Sequence, residues 1–155
     1  MEKTEKYELL VAQVKALIEG EDNAVGVMAN VAALIHSTMN FWWTGFYIVR
    51  NGELQLGPFQ GPVACYRIGL GKGVCGTAWQ RNETVVVPDV EQFPGHIACS
   101  SESRSEIVVP IRDSRGEPCA VLDIDSRELN TFDNTDSHYL GLIAAAIAPA
   151  IAGIC

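Results

Sequence analysis

Hydrophobic residues recur at helical spacing in three parts of the chain. Residues 4–18 and 23–39 each carry an apolar stripe with a period near 3.6, which predicts two helices at the start of the fold. Gly20 supplies a stop between them. A third helix is predicted to begin near residues 132–133 and to bury Leu140, Ile143, Ala144 and Ile147. We expect all three to pack against a sheet.

Between the helices, short runs rich in β-branched and aromatic residues predict strands over residues 41–49, 53–59, 84–87, 106–112 and 118–125. Asn51 and Gly52 form a tight hairpin signal between the first two. Residues 73–80 are predicted to form a short helix. This order favours an α+β fold, in which a largely antiparallel sheet is covered by N-terminal helices and a C-terminal helix. We expect residues 1–155 to form one domain.

The segment 89–105 has no clear periodicity, and loops of this length usually carry function. It places Cys99 among hydroxyl side chains, between His96 and Arg104. A structural cysteine more often lies within an apolar run. Cys99 is therefore a candidate nucleophile, and His96 and Arg104 are candidates for lowering the pKa of its thiol.

The other cysteines are less distinctive. Cys75 falls in the first turn of the helix predicted over 73–80, where a helix N-terminus lowers a thiol pKa, although such a cysteine more often simply packs. Structural disulfides are not expected in a reducing compartment. Structural zinc bound by His96, Cys99, Cys65 and Cys75 is disfavoured, because closed zinc sites usually take their ligands as close sequence pairs.

The hairpin between the last two strands predicts a cluster of carboxylates. If Arg112 pairs with Glu117, Glu106 lies opposite Asp123, with Asp125 as its diagonal neighbour. Alternation places these three acids on one face of the sheet. Two interpretations remain open: a solvent-exposed acidic face, or a site in which crowding keeps one acid protonated to donate to a substrate oxygen while its neighbours bind an ammonium group.

Alternation also places Trp43 and Tyr47 on one face of the first strand, either as core residues or as the wall of a small-molecule pocket. With Cys99 nearby, the cluster favours thiol chemistry on a small amino compound. The formal net charge of −8 argues against a nucleic-acid or anionic-membrane partner.

The N-terminal residues lack the apolar segment of a signal peptide. The apolar run 140–154 is too short to span a bilayer and contains glycine and proline, so it is interpreted as a buried helix. We expect a cytoplasmic protein.

Five sequence motifs occur together and in order: WWTGFY at 42–47, LGPFQG at 56–61, GVCGTA at 73–78, GHIAC at 95–99 and VLDIDS at 121–126. In these motifs the chain resembles the GAF-fold free methionine-(R)-sulfoxide reductases, and the resemblance covers nearly its whole length. It implies a single GAF domain that reduces free L-methionine (R)-sulfoxide without a bound cofactor or metal. Related proteins are often homodimers.

The resemblance also implies roles for individual residues. Cys99 matches the nucleophile, Cys65 the resolving cysteine that forms a disulfide with it, and Cys75 an auxiliary thiol. Thioredoxin would reduce the disulfide. Glu106, Asp123 and Asp125 match substrate-contacting carboxylates, and Trp43 and Tyr47 match pocket aromatics.

Two cysteines fall outside this pattern. Cys119 is expected to be a packed thiol, with an alternative role as a disulfide partner, and Cys155 to be free and frayed. The competing hypothesis for the whole chain is a non-catalytic GAF sensor module that binds a small ligand or responds to oxidation.

Overall fold

An antiparallel sheet forms the centre of the protein in the computed structural model, which describes residues 1–96, 99 and 101–155. Within those residues the sheet has six strands, in the spatial order β3-β2-β1-β6-β5-β4. They are β1 (Trp43–Arg50), β2 (Glu53–Gln60), β3 (Arg67–Gly69), β4 (Val85–Val87), β5 (Ser105–Arg112) and β6 (Pro118–Ser126).

Four α-helices cover the two faces of this sheet: α1 (Lys3–Ile18), α2 (Ala24–Met39), α3 (Gly73–Arg81) and α4 (Asn134–Ile147). Helices α1, α2 and α4 share one apolar core with the face of the sheet that carries Phe46, Ile107 and Leu122. Helix α3 packs on the opposite face, with Trp43, Tyr47 and Val108. The predicted α+β fold is confirmed. None of the described helices is long and apolar enough to cross a membrane.

Two elements differ from the sequence prediction. Strand β3 lies in a glycine-rich stretch and is three residues long, too short for an alternating pattern to stand out. The apolar C-terminal run does not form one helix, because α4 ends at Ile147 and a 3-10 helix, Pro149–Ile154, follows it. Pro149 removes the backbone donor that would continue the helix.

A buried carboxylate joins the first and last α-helices. Asp133 and Asp136 form a capping box at the start of α4. Asp136 also accepts hydrogen bonds from Tyr7 Oη, at 2.5 Å, and from Lys3 Nζ, at 2.7 Å. Because the Asp136 side chain is only 1% exposed, these donors compensate a charge that water cannot reach.

The register of the β5–β6 hairpin differs from the predicted one. Asp113 N donates to Glu117 O, so the loop is one residue shorter than assumed, and a register shift follows between Ile111 and Arg112. Glu106 therefore lies opposite Asp125, and Asp123 lies opposite Val108. The predicted pairing of Glu106 with Asp123 is wrong. The acids nevertheless share one face, because Ile107 and Ile124 belong to the core on the other.

A disulfide joins Cys119, in β6, to Cys155 at the C-terminus, with a Cα–Cα separation of 5.0 Å. The predictions of a packed thiol at Cys119, a free Cys155 and no structural disulfide are therefore wrong. The sequence separation of 36 residues gave no local signal for this pairing. The bond anchors the 3-10 helix to the edge of the hairpin.

Removal of this disulfide is expected to destabilise the oxidised protein. Opening a loop of 36 residues with Cys155→Ser should lower the free energy of unfolding by about 2–4 kcal/mol. Urea unfolding of wild type and variant, each oxidised and each reduced, measures the effect. The difference should vanish under reduction, and an equal difference in both states would attribute the effect to packing instead of the bond.

Candidate active site

A partly enclosed pocket opens on the face of the sheet that carries α3. Nearly all of the residues singled out from the sequence line it: Trp43, Tyr47, Cys75, Cys99, Glu106, Asp123 and Asp125. Cys65 does not line the pocket itself, but it is bonded to Cys99 at the edge. The pocket therefore combines residues from β1, α3, β5, β6 and the two loops that carry Cys65 and Cys99.

Two buried aromatic residues of β1 form one wall. The Trp43 ring stacks on Phe59 and Tyr47, with centroids 5.2 and 6.2 Å away. A side chain at Gly45 would place its Cβ 2.6 Å from Trp43 Cη2, so the indole requires glycine there. The sequence left open whether Trp43 and Tyr47 are core residues or the wall of a pocket. In the structure they are both.

The same aromatic residues hold the loop that carries Cys65. Trp43 Nε1 donates to Pro62 O and Tyr47 Oη donates to Cys65 O, each at 2.9 Å. These bonds fix the backbone at Cys65 relative to the sheet. Sequence reasoning did not find this role, because the bonds join parts of the chain about twenty residues apart.

Cys65 and Cys99 form a disulfide with a Cα–Cα separation of 5.4 Å. Cys65 is half-buried and Cys99 is exposed. The loop returns to the sheet through Arg104, whose N–H donates to Ser126 O at 2.7 Å. Ile97 and Ala98, which belong to the GHIAC motif, and Ser100, which follows it, lie outside the described residues.

Three carboxylates form the floor of the pocket. Glu106 and Asp123 are buried and Asp125 is half-buried, which excludes a solvent-exposed acidic face. Ser103 Oγ donates to Asp125 Oδ1 at 3.2 Å, and Cys75 Sγ lies 3.9 Å from Glu106 Oε2. Among the described residues, Asp123 Oδ1 has no hydrogen-bond partner. Within the described part of the chain, no salt bridge reaches any of the three acids.

Burial raises the pKa of each of these acids. The pKa values of Glu106 and Asp125 are raised well above the ordinary range, first by burial and then by the negative charge of Asp123. The pKa of Asp123 is also raised by burial, but hydrogen bonds from Glu106 and Cys75 act in the other direction. Glu106 is thus the better proton donor and Asp123 the better anion.

Two of the thiol-activating effects considered from the sequence, the helix N-terminus at Cys75 and a positive charge on His96, are not found. Burial, followed by the charges of Asp123 and Glu106, raises the pKa of Cys75 in spite of its place at a helix N-terminus. Burial lowers the pKa of His96, so a neutral imidazole faces the pocket near neutral pH. Cys75 is suited to donating a hydrogen bond, and His96 adds no positive charge beside Cys99.

The disulfide also determines which side chains are free to bind a metal ion. Cys65 and Cys99 are bonded to each other, so the four-ligand zinc set considered from the sequence is not available in this state. A different group has donor atoms within 4.8 Å of one another, namely Cys75, Glu106 and Asp123.

Comparisons with known proteins agree with this arrangement. A GAF domain family model matches residues 22–152. The chain is 55% identical over 139 residues to GAF domain-containing protein A of Dictyostelium discoideum, covering 89% of this chain and 87% of that protein. It is 43% identical over 155 residues to the free methionine-R-sulfoxide reductase of Saccharomyces cerevisiae, with coverages of 95% and 86%.

A solved structure of a free methionine-R-sulfoxide reductase has the same fold as this chain. The X-ray structure of the free methionine-R-sulfoxide reductase from Neisseria meningitidis, in complex with its substrate, superposes with a TM-score of 0.95 at 45% identity. The superposition covers 99% of this chain and 92% of that one.

Neutralising a buried acid is expected to stabilise the fold. Because the pKa of Glu106 is higher in the folded than in the unfolded protein, the stability linked to its proton is present at acid pH and lost as pH rises. Glu106→Gln keeps a hydrogen-bond donor and should raise the free energy of unfolding at pH 7.5, by an amount on the order of 1 kcal/mol. The gain should shrink towards pH 4.5.

Asp113→Asn is the matched control. Hydrogen bonds from the backbone N–H groups of Arg115 and Glu117 lower the pKa of this half-buried acid, so its contribution has the opposite sign and is lost as pH falls. Urea unfolding of both variants across this pH range measures the effects. A destabilised Glu106→Gln protein at pH 7.5 would contradict the assignment.

Proposed function

Because the chain belongs to the GAF-fold family of free methionine-R-sulfoxide reductases, we propose that it reduces free L-methionine (R)-sulfoxide to L-methionine. One observation carries the proposal: a disulfide between Cys65 and Cys99 lies at the edge of a pocket whose floor consists of buried carboxylates. A redox-active pair of cysteines supplies the electrons, and an acidic floor selects an amino compound.

The carboxylates bind the substrate at its two polar ends. The unpartnered Oδ1 of Asp123 accepts a hydrogen bond from the substrate ammonium group, with Asp125 as its neighbour. Glu106, kept protonated by burial, donates its proton to the sulfoxide oxygen. Trp43 and Tyr47 pack against the apolar part of the substrate.

Reduction begins at Cys99. Its thiolate attacks the sulfoxide sulfur, the sulfur–oxygen bond of the substrate breaks, and the oxygen is transferred to the Cys99 sulfur. The products of this step are L-methionine and a Cys99 sulfenic acid. Two electrons pass from the thiol to the substrate, so the oxygen and electron counts balance.

Cys65 then resolves the sulfenic acid. Its thiol displaces the hydroxyl group from Cys99, releases water and forms the Cys65–Cys99 disulfide. The dithiol of thioredoxin reduces this bond by exchange and regenerates both thiols. Cys75, buried and with a raised pKa, serves as an auxiliary thiol and not as the first nucleophile.

We propose the following domain extent, cellular location, oligomeric state and cofactor requirement for the protein. Residues 1–155 act as one GAF domain, since α1, which precedes the matched residues 22–152, packs against α4 through Tyr7 and Asp136. The protein works in the cytoplasm, where thioredoxin is available, and forms a homodimer. It requires no bound cofactor, because the protein thiols supply both electrons.

A direct assay separates this proposal from a GAF sensor module. The reduced protein is incubated with L-methionine (R)-sulfoxide and dithiothreitol, and free methionine is measured by amino-acid analysis. Catalytic formation of methionine supports the enzyme. Binding of the sulfoxide without turnover supports the sensor.

Substitution of the two active-site cysteines should give different defects. Cys99→Ser should lower turnover by more than about 1000-fold with either reductant, because the other cysteine that lines the pocket, Cys75, is buried with a raised pKa and is a poor nucleophile. Cys65→Ser should form one methionine per protein and then fail to recycle with thioredoxin. Product quantification in single-turnover and steady-state assays distinguishes these outcomes.

Cys155→Ser is the matched control, since it removes a thiol far from the pocket and should keep wild-type turnover with both reductants. Normal turnover by Cys99→Ser would contradict the proposed nucleophile.

A further inference from the structure

Three potential metal ligands converge on the floor of the pocket from three different elements. Cys75 lies in α3, Glu106 in β5 and Asp123 in β6, and one donor atom of each lies within 4.8 Å of the other two. All three side chains are buried. Strands β5 and β6 pair directly, so the two carboxylates are held on a rigid backbone.

One of these donors has an unused lone pair. Asp123 is 5% exposed and lines the pocket, and its Oδ1 has no hydrogen-bond partner in the part of the chain that the structure describes. A buried carboxylate oxygen without a partner is costly and is normally compensated by a donor or a cation. This oxygen provides evidence for a ligand at the site, independent of the clustering of acids.

We propose that Cys75, Glu106 and Asp123 bind a thiophilic divalent cation of the Zn²⁺ type, which excludes the substrate from the pocket. One sulfur and two oxygen donors suit Zn²⁺, Co²⁺ or Cd²⁺, whereas Mg²⁺ and Ca²⁺ prefer six or more oxygen ligands. The fourth coordination position faces the pocket and is left for water.

The geometry needs only a small adjustment to close around the ion. Zinc lies about 2.3 Å from sulfur and about 2.0 Å from oxygen in protein sites, so its ligand atoms are separated by less than 4.8 Å. Cys75 Sγ and Glu106 Oε2 are already 3.9 Å apart. Rotation of the Asp123 carboxylate brings the third donor closer.

Binding exchanges protons for the cation. The Cys75 thiol and the Glu106 carboxyl group each lose a proton, and Asp123 binds as the anion, so two protons are released for each divalent ion. The resulting site has a net charge of −1, smaller than three buried anions would carry. A cation therefore stabilises the ionised forms that burial alone disfavours.

Competition with the substrate follows from the shared oxygen, and this part of the inference depends on the proposed function. Asp123 Oδ1 cannot bind a metal ion and the substrate ammonium group together. The expected consequence is reversible inhibition by zinc, a mode distinct from oxidation of Cys65 and Cys99.

The test uses Co²⁺ as a spectroscopic probe of the oxidised protein. In that form Cys65–Cys99 and Cys119–Cys155 are disulfides, and Cys75 is the free cysteine. Titration with Co²⁺ should produce a near-ultraviolet sulfur-to-cobalt charge-transfer band, which Zn²⁺ then removes. Cys75→Ser should abolish the band, and Asp123→Asn should weaken binding by about 100-fold or more.

Asp125→Asn is the matched control, because it removes a neighbouring acid that is outside the donor group. It should retain the band, with affinity reduced by about tenfold or less. Absence of the band in wild type, or its persistence in Cys75→Ser, would overturn the metal site.

A final addition of L-methionine (R)-sulfoxide to cobalt-loaded Cys99→Ser protein, kept reduced so that it can bind the substrate without turning it over, separates the two parts of the inference. Loss of the cobalt band supports competition. A band that persists, although calorimetry shows the sulfoxide binding to the metal-free protein, overturns the competition but leaves the metal site. If the sulfoxide does not bind the metal-free protein either, the proposed function fails while the metal site stands.

Discussion

The constraint on which the site depends is the crowding of two buried carboxylates and a half-buried one on one face of a continuous sheet. Glu106 and Asp125 lie directly opposite each other across β5 and β6, and Asp123, two residues before Asp125 on β6, is the diagonal neighbour of Glu106. Like charges in this arrangement destabilise a sheet, and burial adds the cost of removing each charge from water. The folded protein can hold the group only with protons, hydrogen-bond donors or a bound cation in place of water.

One face of the sheet carries the large apolar core, and the other carries the candidate active site. The face covered by α1, α2 and α4 is apolar, and its one buried acid among the described residues, Asp136, is compensated by Tyr7 and Lys3. The opposite face carries the acids, Cys75 and the aromatic wall. The same strands contribute side chains to both faces. Burial of apolar side chains on one face therefore offsets the unfavourable free energy of crowding the carboxylates on the other.

Much of this division could be predicted from the sequence, since alternation along a strand fixes the face of a residue. Alternation correctly predicts one shared face for Glu106, Asp123 and Asp125, although the predicted cross-strand pairing of Glu106 with Asp123 is wrong. The error came from the hairpin loop, where Asp113 accepts hydrogen bonds from Arg115 and Glu117 and changes the pairing. Local turn geometry of this kind has only a weak sequence signal.

Burial and long-range pairing account for the other errors. The favourable effect of a helix N-terminus on a thiolate is small, and at Cys75 it is outweighed by burial among acids that only the fold brings together. The Cys119–Cys155 disulfide depends on where Pro149 redirects the chain after α4. By contrast, the five motifs were enough to indicate the pairing of Cys65 with Cys99 through resemblance.

The central claim is that the buried acids recognise the ammonium group of a free amino acid. Calorimetry with Cys99→Ser, which binds without turnover, tests it most directly by comparing L-methionine (R)-sulfoxide with its N-acetyl derivative. Loss of a hydrogen-bonded charge should weaken binding by about 10- to 100-fold. Equal affinity for the two compounds would contradict the account.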